Sequence, residues 1–472
     1  MNVKIIGAGL AGCEAANYLA NKGVKVDLYE MRPKKMTPAH KTAKFGELVC
    51  SNSLRADGLE NAVGILKAEM EQFDSLIIKE ARAHKVEAGG ALAVDRESFS
   101  QAITDDILSN PNITVHYEEV DTIDPNVPTI IATGPLTDNT LANNIMKMFD
   151  SNNFHFYDAA APIVYADSLN YDIVYLKSRY DKGEASYLNC PMTKEQFDVF
   201  YDALIHAEGV VPHDFEDIPG DTTLKTNNEN DEVKVFEGCM PVEIMAKRGP
   251  QTLLFGPLKP VGLRRPDGTS PYAVVQLRQD DAAKTMYNLV GFQTHLKYPE
   301  QKRVFQLIPG LENARFAKYG VMHRNSFINA PLILNETYQT KKYPNIFFAG
   351  QLSGVEGYVE SAASGIVAGI NMYRHLIGKE LYKFSRKTVI GSQAYYITHA
   401  STEAFEPMNA NFGIMEDLDF KHSKKDRKRL YGERALEEIK KAYEEIKNDW
   451  GWSYSKLSWL PRFSQKLFTK YN

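Results

Sequence analysis

The chain has 472 residues, of which 43% are hydrophobic and 24% charged, so at ~150 residues per domain it holds two or three units with sizeable cores, and whole-chain disorder is excluded. No stretch approaches the ~20 apolar residues of a membrane span and the N-terminus enters a folded pattern at once, so a cytosolic protein with no membrane partner is expected. A net charge of −5 argues against a broad polyanion-binding face but not a local patch, and four cysteines with no C-x-x-C pair exclude a disulfide framework and leave zinc or any other metal without support.

The opening run, residues 3 to 6, is an apolar strand, and residues 11 to 20 have helix-favouring composition. Between them Gly7, Gly9 and Gly12 have the G-x-G-x-x-G spacing. The first glycine permits a tight turn, the second lets backbone approach a pyrophosphate, and the third lets helix pack close to strand. The turn residues Ala8, Leu10 and Ala11 are expected to join them, because a helix N-terminus offers unpaired N–H groups and a positive dipole end to phosphate. A second strand, residues 24 to 29, ends in Glu30, an acid suited to an unphosphorylated ribose as in FAD or NAD.

Next comes GELVCSNSLR, residues 46 to 55, which sets Cys50 in a polar, turn-prone context with Arg55 near enough to serve it. PTIIATGPLT (128 to 137) is a strand ending in Ala-Thr-Gly. From residue 163 to 290 apolar and aromatic strands dominate, with a Pro-Asp-Gly turn at 266 to 268 between two extended runs, and the loop from 219 to 231 is polar. FEGCMPVEIMAKRG (236 to 249) presents Cys239, with Lys247 and Arg248 close by in sequence. Neither Cys50 nor Cys239 has the apolar context of a buried thiol, whereas Cys13 and Cys190 read as packing residues. The segment from 190 to 240 is dense in acids, but residues 241 to 303 carry ten Lys or Arg against five acids, including Lys259 and Arg278. That second segment is the better candidate for an RNA face, with a solvated surface of mixed charge as the competing reading.

NIFFAGQLSGVEGYVESAASGIVAG (345 to 369) is a strand, a glycine turn and a helix of small residues, with Gly350, Gln351, Tyr358 and Ser361 along it. A return to the nucleotide domain so late favours FAD over a simple NAD dehydrogenase. From residue 421 a charged helical pattern begins, and WGWSYSKLSWLPRFSQKLFTKYN closes the chain with all three tryptophans, four Lys or Arg and no acid. This tail suits RNA, a membrane surface, or docking onto the core through its aromatics.

GAGLAGCEAA, TPAHKT, ELVCSNSLR, GGALAVDRE, YLKSRYDKGEASYLNCPM, FEGCMP, LFGPLKPVGL, VGFQTHL and AGQLSGVEGYVESAASGIVAGIN together resemble the folate- and FAD-dependent RNA uracil-5-methyltransferases, the TrmFO family, from residue 1 to about 415. The resemblance implies an α/β fold: a two-dinucleotide-binding, Rossmann-like FAD domain (1–165 and 326–415) interrupted by a mixed α/β insertion (166–325), with a helical tail (416–472). It also implies that methylenetetrahydrofolate supplies a one-carbon unit, by way of FAD reduced with NADPH or NADH, to C5 of a uridine in RNA. The usual target is the tRNA T-loop, and a uridine of large-subunit ribosomal RNA is the alternative. By motif, Cys239 takes the role of nucleophile at uracil C6 and Cys50 that of the base at C5. Tyr358 matches an aromatic near the flavin. Lys247, Arg248, Lys259 and Arg278 are expected at phosphate or at the folate glutamate, with surface salt bridges as the rival reading. Weaker rivals are the larger FAD-dependent enzymes that build a carboxymethylaminomethyl group on tRNA uridine, and a non-catalytic flavoprotein. Oligomeric state is not legible.

Overall fold

A computed structural model describes residues 2–150, 154–179, 185–210, 240–403 and 405–449, without the side chains of 154–158 and 322–324. Cys239, the loop from 219 to 231 and the aromatic end of the tail from residue 450 lie outside the described residues.

Five parallel strands make the first sheet, in the spatial order Ile346–Phe348, Thr129–Ile131, Asn2–Ile6, Lys25–Tyr29, Ile113–His116. Ile5, Ile130, Ile131, Phe347 and Phe348 are all fully buried. Continuous apolar runs are what a parallel sheet covered on both faces requires, and each such side chain contributes about 1.5–3 kcal/mol by burial. The late strand Ile346–Phe348 pairs with Thr129–Ile131, so the chain does return to the nucleotide sheet after a long excursion.

Helix Leu10–Asn21 follows the first strand, and helix Tyr358–Leu376 follows the last. Small residues let these two helices meet almost backbone to backbone: a Cβ on Gly365 would stand 2.2 Å from the carbonyl oxygen of Ala11, and one on Gly369 would stand 3.3 Å from Cα of Ala15.

Six strands form the second sheet, in the order Tyr175–Leu176, Tyr187–Met192, Ala273–Gln279, Met286–Leu289, Ile163–Tyr165, Phe316–Lys318, all antiparallel. Its own core includes Leu188, Val275, Leu277, Phe197, Phe200 and Phe292. The turn at Pro-Asp-Gly forms, with the Gly268 N–H on the Arg265 carbonyl at 2.9 Å, but only the run after it is a strand. The segment before it instead lies in turns, where Arg179 donates to the carbonyls of Lys259 (2.9 Å) and Val261 (2.7 Å). An antiparallel ribbon of Phe154–Ala159 with Met322–Phe327 lies where the chain leaves the first sheet and returns to it.

The charged pattern near the C-terminus is a helix, Arg427–Lys447. Tyr431, Ala435, Ile439, Ala442 and Ile446 are buried at spacings of three and four, so the helix docks by an apolar stripe. Asp449 then receives Arg374 and, at 2.6 Å, Lys379.

Buried carboxyls tie the helices together. Glu69 is fully buried and accepts the N–H groups of Val389 (2.7 Å) and Ile390 (2.8 Å), the first residues of helix Val389–His399; burial pushes its pKa up to about 8. A carboxyl raised in the fold above its unfolded value gives stability that is complete at acid pH and lost as pH rises through the folded pKa. Glu69→Gln is therefore expected to flatten the fall of the unfolding midpoint between about pH 5 and pH 8 relative to the wild type. The comparison cancels the other titrating groups, and parallel curves for the two proteins would contradict it.

Candidate functional site: a dinucleotide pocket beside a pinned cysteine loop

An open groove runs along the C-terminal end of the parallel sheet. Gly7, Gly9, Leu10 and Ala11 line it from the first glycine turn, and Glu30 lines it from the end of the second strand. The segment from Ala132 to Asp138 forms another wall, and Gly350, Gln351, Tyr358 and Ser361 close it from the last glycine turn. The three segments expected to meet a nucleotide are thus brought to one cavity.

Gly7 has φ +101°, and a Cβ there would lie 2.5 Å from the Ala132 carbonyl oxygen, so only glycine makes this turn. A Cβ on Gly9 would meet nothing within 4 Å; it would project into open space at the N-terminus of helix Leu10–Asn21, which has no side-chain cap. That arrangement fits a pyrophosphate: open room at the second glycine and uncapped helix N–H groups facing it. Ala8 and Gly12 do not line the groove. Ala8 is fully buried, with its N–H on Glu30 Oε2 at 3.1 Å, and a Cβ on Gly12 would stand 1.8 Å from the Gly7 carbonyl oxygen. These two residues shape the turn from behind.

Glu30 is held more firmly than its sequence position suggests. Arg32, itself buried, donates Nε to Oε1 at 2.9 Å, Nη2 to Oε2 at 3.2 Å and its backbone N–H to Oε1 at 3.0 Å. Burial alone would raise the carboxyl, but the Arg32 hydrogen bonds and charge outweigh it and keep Glu30 below the usual range, hence ionised. Arg32 and His40, in the motifs YEMRP and TPAHKT, were not singled out by sequence reasoning. His40 lines the groove with Nδ1 2.6 Å from Thr37 Oγ1, and burial followed by the Arg32 charge lowers it to about 4, so its ring is neutral at pH 7.

Cys50 sits beside this groove, in an irregular loop whose neighbour Val49 lines it. The Tyr358 hydroxyl, at the start of helix Tyr358–Leu376, accepts the N–H groups of Cys50 (2.7 Å) and Ser51 (3.2 Å). One tyrosine therefore lines the groove and also pins the cysteine's backbone. The Cys50 sulfur faces the Ala159 carbonyl at 3.8 Å. Cys13 and Cys190 are fully buried, and burial pushes both thiols up.

Arg278 is buried rather than a surface cation: Nε donates to Asn52 Oδ1 at 3.0 Å and Nη2 to Ser51 Oγ at 2.7 Å. It thus reaches from the second sheet to the Cys50 loop. Arg55, expected to serve the thiol, is hydrogen-bonded to the fully buried Glu360. Lys247 and Arg248 are exposed at the end of helix Val242–Lys247 and Lys259 is half-buried; none of the three lines the groove. The described chain resumes at Met240, immediately after Cys239, and is anchored at once by the Val242 N–H on the Gln293 carbonyl at 2.8 Å. No described helix is long and apolar enough to cross a membrane.

Tyr358→Phe keeps the ring in the groove but removes the acceptor for two N–H groups, at a cost of about 1–3 kcal/mol. The expected result is faster hydrogen exchange at the Cys50 and Ser51 amides with flavin content unchanged. Unaltered exchange would show that the hydroxyl does not hold the loop.

The family described as glucose inhibited division protein A matches residues 2–380. Two solved structures of Aquifex aeolicus GidA share the fold, with TM-scores of 0.67 and 0.66 at 17% identity, covering 94% of this chain and 73% and 76% of those chains. A Listeria monocytogenes protein named methylenetetrahydrofolate--tRNA-(uracil-5-)-methyltransferase TrmFO is 59% identical over 447 residues, 94% of this chain and 99% of the relative. Proteins of the same name from Lactiplantibacillus plantarum and Bacillus pumilus are 59% and 58% identical, each over 93% of this chain and over 96% and 98% of their own lengths. A match covering 94% of the chain runs past residue 415, where the recognisable motifs end, into the charged helix. The chain belongs to the glucose inhibited division protein A family and, within it, to the TrmFO proteins.

Proposed function

We propose that this chain is a flavin-dependent tRNA methyltransferase that moves a one-carbon unit from methylenetetrahydrofolate to C5 of a uridine, with NADPH or NADH as reductant. The observation that carries the reading is the join made by Tyr358, which lines the dinucleotide groove and holds the backbone of Cys50 at 2.7 Å. Names and near-complete coverage of the relatives support the tRNA substrate.

Gly7, Gly9, Leu10, Ala11, Glu30, Gly350, Gln351 and Ser361 would hold FAD, with the pyrophosphate at the open space beside Gly9. When bound and reduced, FAD supplies the one-carbon carrier and the hydride that completes the methyl group. The protein's own residues manage bonds and protons. Cys239, as thiolate, adds to uracil C6 and makes C5 nucleophilic. Once carbon is on C5, the thiolate of Cys50 accepts the C5 proton, and the Cys239 sulfur leaves from C6. Lys247, Arg248 and Lys259 are assigned to phosphate or to the folate glutamate, and Arg278 to holding the Cys50 loop through Ser51 and Asn52. In this reading ranges 1–165 and 326–415 carry the flavin, 166–325 forms a wall of the RNA site, the target is the T-loop uridine, and the enzyme works in the cytoplasm.

The test is to incubate flavin-loaded protein with methylenetetrahydrofolate, NADPH and either unmodified tRNA or ribosomal RNA. The modified position is then mapped by nuclease digestion and mass spectrometry. Formation of 5-methyluridine in the tRNA T-loop is expected. Methylation confined to ribosomal RNA would overturn the substrate, and none in either would overturn the reaction.

A further inference from the structure

The loop from Leu48 to Asn52 has no regular secondary structure, yet every residue in it is held from outside. Arg96 Nη1 donates to the Leu48 carbonyl at 3.0 Å, Tyr358 accepts from Cys50 and Ser51, and Asn52 Nδ2 donates to the carbonyls of Val94 (3.1 Å) and Gln279 (2.9 Å). A further contact comes from Lys318. Its Nζ donates to the Val49 carbonyl at 2.8 Å from Phe316–Lys318, a strand at the edge of the six-stranded sheet.

Two cations from that sheet, Lys318 and Arg278, therefore converge on the residues flanking Cys50, and each feels the cysteine's charge. They differ in what they can do. Arg278 is committed to Ser51 and Asn52 and keeps its charge at any physiological pH. Lys318 can lose its charge: burial, then the neighbouring Arg96, lower it to about 8, with Lys41 acting in the same sense and Cys50 and Asp280 opposing. Among the described residues, Arg96 is paired with Asp280 at 3.0 Å, and burial holds the Tyr358 hydroxyl protonated.

We propose that Lys318 is the positioning residue that poises Cys50, its ammonium fixing the Val49 carbonyl and favouring the thiolate over the thiol at the adjacent residue. The inference rests on the reading of Cys50 as the base at C5 and deepens it. An ordinary thiol is only a few per cent ionised at neutral pH, and a thiol cannot accept a proton, so the base must be made available before the uridine arrives. The proton released by Cys50 passes to solvent; the one later taken from C5 restores the thiol, which ionises again for the next turnover. Because Lys318 itself loses charge near pH 8, its support is strongest below that pH and fades above it.

The test reads the thiol directly and involves no RNA. FAD-loaded full-length wild type, Lys318→Met and Lys318→Arg are treated with iodoacetamide across about pH 6 to pH 10, and alkylation at Cys50 is followed by peptide mass. Lys318→Met is expected to move the half-maximal pH up by about one unit, which is about tenfold slower alkylation at neutral pH. Lys318→Arg is expected to restore the neutral-pH rate. A Lys318→Met profile superimposed on the wild type would overturn the proposal. If Lys318→Met fails to retain flavin, the arginine variant decides: a half-maximal pH at or below the wild-type value supports a role for the charge, and one raised by about a unit overturns it. Full methylation by Cys50→Ala would instead sink the reading of Cys50 as base while leaving the alkylation result intact.

Discussion

In Cys50→Ala, 5-methyluridine formation is expected to fall by roughly 10²–10⁴-fold, the range for losing a positioned acid–base group, and RNA is expected to stay covalently attached to the protein. Both follow from the order of bond changes. In the proposed mechanism the Cys239 sulfur leaves uracil C6 only when the C5 proton is removed, so deleting the proposed base after carbon transfer strands the adduct. The fold should be unaffected, because the loop is held through Leu48, Val49, the Cys50 N–H, Ser51 and Asn52, none of which the substitution removes. Denaturing electrophoresis of protein with labelled tRNA reads the adduct, and flavin absorbance checks the fold. Turnover at the wild-type rate would remove Cys50 from the chemistry.

Gly365→Ala is expected to destabilise the flavin domain by about 1–3 kcal/mol and to lower flavin retention. The added methyl would stand 2.2 Å from the Ala11 carbonyl oxygen and 2.8 Å from Ala11 Cα, and backbone cannot rotate away as a side chain can. Ala11 also lines the dinucleotide groove, so the helix displaced by the clash is the one whose N-terminus faces the phosphates. Gly369→Ala serves as the control, because its nearest atom lies 3.3 Å away and a shift of a few tenths of an ångström suffices. Thermal unfolding and the flavin-to-protein ratio measure both variants; equal effects would show that the close approach at Ala11 is not limiting.

Much of the flavin half was legible because its determinants are local. The apolar run before Gly7, the glycine spacing and the acid at position 30 lie within thirty residues and state strand, turn, helix and strand in order. The small residues of 358–376 likewise announce a helix that another helix must approach closely. Local pattern failed where polar contacts decide. The run before Pro266 has extended-looking composition, but Arg179, just past the strand Tyr175–Leu176, engages its carbonyls and no ladder forms there.

The site divides along the same line. Two cysteines in polar, turn-prone contexts and a nucleotide-binding frame can be read along the chain, because those signals are carried by neighbouring residues. Tertiary structure decided what surrounds Cys50. Arg55, five residues away, is engaged by Glu360, whereas Arg278 and Lys318, more than two hundred residues distant, reach the loop from the other sheet. Electrostatic and hydrogen-bond partners are selected by distance in space, and across two sheets distance in space bears no relation to distance in sequence.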